Sequence, residues 1–80
     1  MAHANEIFVT HSFDNHEKNR CVDIIQVAEQ NYRFQEWRRE PEDISGWFLM
    51  LDSQPRFYSC AEDAIVEAKR VIGWFSEIAQ

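Results

Sequence analysis

A segment that opens Ser59-Cys60-Ala61-Glu62 and then repeats an apolar residue every three or four positions constrains this chain more than any other feature. Ser-x-x-Glu is the spacing of a capping box, in which the hydroxyl and the carboxylate satisfy backbone N–H groups left free where a helix starts. Behind it, Ala61, Ile65, Ala68, Ile72, Phe75 and Ala79 form one apolar stripe at helical period. Glu62 and Asp63 fall in the first turn, where negative charge complements the helix dipole. Small Ala61, Ala64 and Ala68 let such a helix approach a sheet closely. The spacing predicts an amphipathic helix from Ser59 to the C-terminus. Gly73 marks where its last turn and a half bends or frays, because Gly costs about 1 kcal/mol against Ala in a helix.

The sheet comes from what precedes it. Ile7 to Phe13 alternates, with Ile7, Val9, His11 and Phe13 on one side, the period of a strand. Asp14 to Arg20 is polar and reads as a loop. Val22 to Arg39 admits two readings. As a helix, Cys21, Ile25, Ala28 and Tyr32 form a stripe that Asn15 could cap; as strands, Val22 to Val27 has high β propensity and Glu29-Gln30-Asn31 turns the chain into Tyr32–Arg38. The stripe breaks after Tyr32, since Phe34 and Trp37 leave its line, so the hairpin is preferred. Pro41 to Gly46 reads as a turn. The apolar run Trp47 to Leu51 then suits a central strand buried on both faces. Asp52 to Pro55 turns again, and Arg56 to Tyr58 is read as extended.

Eighty residues make a single α+β domain, 1–80, with residues 1–5 expected to be disordered. So short a chain buries only about 60% of its unfolded surface. Six Phe, three Trp and two Tyr offset that with large buried areas. No apolar run approaches the ~20 residues of a membrane span, and no cationic-then-apolar leader opens the chain, so a cytoplasmic protein without a membrane partner is expected. In a reducing compartment Cys21 and Cys60 are most simply free thiols, with a 21–60 disulfide as the alternative. The net charge of −6 disfavours nucleic acid, whose phosphates call for Lys and Arg.

Little in the chain suggests chemistry. His3, His11, His16, Cys21 and Cys60 are metal-ligand types, and four residues separate His11 from His16 as in H-x3-5-H zinc sites. Neither Cys is paired with a neighbour, however, and a His in a strand and one in a loop are more often plain polar residues, so no metal is expected. Cys60 would sit at a helix N-terminus, where thiol pKa values fall, yet Glu62 and Asp63 oppose a thiolate. No carboxylate pair stands in an apolar context, and there is no Gly-rich phosphate loop. Neither an enzyme nor a cofactor is expected.

Arg33 to Arg39 is the stretch with binding character. On a strand Arg33, Gln35, Trp37 and Arg39 share one face, while Tyr32, Phe34 and Glu36 turn toward the helix. Arg beside Trp suits a protein hot spot or base stacking. Alternatively, Trp37 simply covers the open face while the arginines pair with Glu36, Glu40 and Glu42.

Gly46-Trp47-Phe48 before Phe57-Tyr58-Ser59-Cys60-Ala61-Glu62-Asp63-Ala64-Ile65 resembles the small β-β-β-α modules common in bacterial and phage genomes, over roughly residues 22–75. Some of these, similar to integrase arm-binding domains, read DNA with the sheet; the acidic charge here departs from those members. The resemblance assigns no functional residue.

The expectation is thus a three- or four-stranded antiparallel sheet with one C-terminal amphipathic helix on one face. Its expected function is that of a non-enzymatic interaction module. It would bind a protein partner, or itself as a homodimer, through the open face around Arg33, Trp37, Arg39 and Trp47. The alternatives are a nucleic-acid module using Arg33, Arg38 and Arg39, and a small acidic phage-type inhibitor.

Overall fold

The computed structural model describes residues 8–40, 42 and 46–78. Four strands, β1 (Phe8–Asp14), β2 (Arg20–Ala28), β3 (Asn31–Arg39) and β4 (Trp47–Asp52), precede helices α1 (Ala61–Val71) and α2 (Gly73–Ile78). The strands neighbour one another in chain order and every pair is antiparallel, so the sheet is an open α+β meander with β1 and β4 as its edges. The expected disorder of residues 1–5 lies outside the described residues, as do Ile7, most of the 41–46 turn and Ala79.

The β-branched residues of the 22–39 segment settle its reading as a hairpin. Ala28 pairs with Asn31, and the turn between them is closed by Gln30 at φ 58. Asn15 caps the preceding turn instead of a helix. Its Oδ1 accepts the backbone N–H groups of Asn19 and Arg20, each at 3.0 Å, while Lys18 takes φ 64.

Alternation on β3 then assigns the two faces. Phe34 and Glu36 face the helices, and α1 lies across β2 and β3. The core is Val22, Ile24 and Phe34 from the sheet with Ala64 and Ala68 of α1, Phe75 of α2 and Ile72 between the two helices. Both alanines are fully buried, which is what close helix–sheet approach requires of small side chains.

Four expectations change. On β1, Val9 pairs with Ile25 and His11 with Ile24, so Thr10 is an extra residue in the strand. That bulge moves Val9 to the face opposite His11 and Phe13. The strand buried on both faces is β2, where Cys21 to Ile25 are all buried, and not Trp47–Leu51. As the last strand of a meander, β4 has a neighbour on one side only.

The helix begins one residue later than the capping box requires. Its N-cap is Cys60, with no side-chain cap hydrogen bond. One residue too early for the cap, Ser59 cannot play the box's role. Finally, the expected single helix is two. Ile72 is extended at φ −113, ψ 104, just before Gly73, the residue least committed to helix. The change of direction packs Phe75 on Phe13, ring centroids 5.0 Å apart, and lets Trp74 Nε1 donate to Glu36 Oε2 at 2.9 Å. Glu36, nearly buried, also receives Arg20 Nη1 at 3.3 Å, so its charge is matched inside the fold.

Candidate interaction surface

The face left open by the helices divides into two halves of different character. Toward β1 it is sealed. Cys21, Asp23 and Ile25 of β2 are at most 2% exposed, although no helix covers them. Longer neighbours on β3 do so instead, since Trp37 stands across from Cys21, Gln35 across from Asp23 and Arg33 across from Ile25. From the β1 side, exposed Ser12 donates its Oγ–H to Asp23 Oδ1 at 2.8 Å, and the Cys21 thiol reaches the same oxygen at 3.3 Å. Burial pushes that thiol up to about 12; the Ser12 hydrogen bond opposes the rise and the Asp23 charge adds to it. At neutral pH Cys21 is therefore a protonated donor, the opposite of an activated nucleophile. His11 points to the other face, so no imidazole stands by as a base for Ser12.

Both cysteines are free thiols, which sets the 21–60 disulfide aside. Among the described residues no three His, Cys, Asp or Glu side chains come together as a metal site, and no helix is long and apolar enough to cross a membrane.

The four residues singled out from the sequence share this face but not one role. Arg33 is drawn down the strand, its Nη1 donating to Gln54 at 2.8 Å and its Nε 3.9 Å from Asp52. Asp52 also accepts from Gln35 Nε2 at 2.9 Å, so the arginine is spent within the fold. Trp37 is half-buried as the lid on Cys21, and its indole N–H is buried with no acceptor.

Arg39 and Trp47 come together. The guanidinium carbon lies 5.0 Å from the indole centroid, a cation–π contact, and Arg39 Nη2 donates to the Lys18 carbonyl at 2.9 Å. Arg38 pairs with Glu40 at 2.9 Å, as the charge-pairing alternative has it, but Arg33 takes Asp52 instead of a glutamate.

The larger signal is one that the sequence reading placed in the core. Phe48, Leu49, Met50 and Leu51 are 38–49% exposed. A second bulge divides them between faces: Leu51 pairs with Glu36 but Leu49 with Trp37, leaving Met50 as the extra residue. Trp47 and Leu49 consequently share the open face with Arg39, while Phe48 and Leu51 lie on the helix side, beyond the reach of α1. The signal that could have revealed this is chain order. A fourth strand followed only by a short connection and a helix has no later strand to cover it.

Edges of this kind are normally blunted by charge or proline. From Gly46 to Leu51 this one carries neither. The arrangement suits recognition of an apolar, extended partner surface. No family model matches the chain, and neither a curated protein nor a solved structure matches it.

Proposed function

We propose that this chain is a non-enzymatic protein-interaction module of the cytoplasm, which binds its partner along β4 and the adjoining strip of the open face. The observation that carries the reading is the uncharged run Gly46 to Leu51 of the edge strand, with its four exposed apolar side chains. An edge strand with apolar side chains on both faces and no charge to blunt it is a ready template for pairing with another chain. Trp47, held under Arg39, supplies the aromatic–arginine pair that dominates protein hot spots. The centre of binding thus moves from Trp37 and Arg33, which are engaged within the sheet, toward Trp47, Leu49 and Arg39.

The test is affinity capture from the native host with wild type, Trp47→Ala and Leu49→Lys in parallel. The reading expects a partner held by wild type and lost from both folded variants. A partner retained equally by all three contradicts it.

A nucleic-acid module is the second reading, and Arg39 stacked on Trp47 is the observation in its favour. Against it, Arg33 and Arg38 are already ion-paired and the chain is acidic. It predicts steeply salt-dependent oligonucleotide binding that Arg39→Glu weakens; no binding at low salt ends it.

A further inference from the structure

The backbone of β4 restricts what can cover it. Arg39 donates its N–H to the Asn19 carbonyl, on the β2 side of β3. In an antiparallel ladder alternate residues point their backbone groups to opposite sides, so Trp37 and Arg39 both bond toward β2. Their partners across β3–β4 are Leu49 and Trp47. The N–H and C=O groups of Trp47 and Leu49 therefore point out of the sheet, where nothing among the described residues meets them. An occupant that satisfies these groups must itself be an extended strand.

We infer that this occupant is β4 of a second copy, paired antiparallel across a two-fold axis to give a continuous eight-stranded sheet. The inference rests on the reading of β4 as the binding surface and adds the identity of the partner. The outward groups fit a copy of the chain, because Trp47 and Leu49, two residues apart, complement themselves in an antiparallel pair. At a net −6 two copies repel over most of their surface, but the strip from Gly46 to Leu51 carries no charge at all.

The outward groups select the register too. Placing Trp47 across from Leu49 of the second copy pairs all the outward N–H and C=O groups of those residues, in four reciprocal hydrogen bonds. Centring the pair on Leu49 instead would set Trp47 against Leu51. The bulge turns the backbone of Leu51 back toward β3, so that register leaves groups unmet. In the favoured register Phe48 faces its own copy on the two-fold axis, on the helix side. Trp47 covers the second copy's Leu49 on the open face, and each of these side chains is now partly exposed.

Sedimentation of the full chain from micromolar to millimolar concentration tests the pairing. A concentration-dependent dimer is expected, lost on Leu49→Lys with unchanged far-UV circular dichroism. Because that variant adds a charge to the sheet, a second readout is independent of it. With Cys60→Ser as background, Phe48→Cys should give a covalent dimer on mild oxidation and Met50→Cys should not. A chain monomeric at millimolar concentration overturns the inference, as does a dimer indifferent to Leu49→Lys or one cross-linked equally through Met50→Cys. A monomer leaves the interaction module standing, because host capture with Trp47→Ala decides that separately.

Discussion

Cys21 shows how one residue acquires its chemistry from its neighbours. It is nearly buried under Trp37, hydrogen-bonded to Ser12 and Asp23, and its thiol is pushed up to about 12. The folded chain holds a proton there that the unfolded chain releases above the ordinary thiol value of 9.0. Stability from this residue is thus fully present below pH 9 and is lost as pH rises toward 12. Chemical denaturation across that window should show a slope steeper in wild type than in Cys21→Ala by about 1.4 kcal/mol per pH unit. Equal slopes would contradict the burial. Comparing the two proteins cancels Tyr58, whose hydroxyl is also raised by burial and by Glu67. The same seal explains Asp23, which is 1% exposed with Oδ2 unpaired, and Trp37, whose indole N–H is also unpaired. Both are commitments to structure that make this half of the face a poor place to bind.

At the scale of elements, the start of α1 separates two accounts of the same four residues. A working capping box at Ser59 would make Ser59→Ala cost about 1 kcal/mol. With Cys60 as N-cap and no side-chain cap bond, the change should fall within about 0.5 kcal/mol in urea denaturation, as for an ordinary surface site. The helix itself was legible because its period is local. Ala68, Ile72 and Phe75 of the stripe are buried as its spacing has them, while Ala61 and Ile65 are only partly so and Ala64 beside them is fully enclosed. The faces of β3 were legible for the same reason, with Phe34 inward and Trp37 outward. What escaped depends on partners far away in the chain. A bulge is a property of two strands, so neither the displacement of Val9 by Thr10 nor that of Leu51 by Met50 is written in its own strand. An apolar run reads alike whether it is enclosed or exposed, and only the order of the strands tells β2 from β4. The candidate surface was accordingly half visible: Arg39 and Trp47 were in view, and Leu49 and Phe48 beside them were not.

In the molecule as a whole, two helices cover the middle of a four-stranded meander, and its last strand carries no charge from Trp47 to Leu51. A single helical layer over β2 and β3 suffices to bury the core but cannot also shelter the outermost strand. The binding surface is therefore a consequence of the architecture: the last strand is left with apolar side chains on both faces and free backbone groups along its outer side. Amide hydrogen exchange resolved by residue, repeated at rising protein concentration, tests that claim most directly. Phe48 and Leu51 should be protected at every concentration, because their N–H groups bond to β3. Trp47 and Leu49 should exchange freely when dilute and slow as the second copy pairs with them. Protection of Trp47 and Leu49 in the dilute monomer, or free exchange of both at every concentration, would contradict the account.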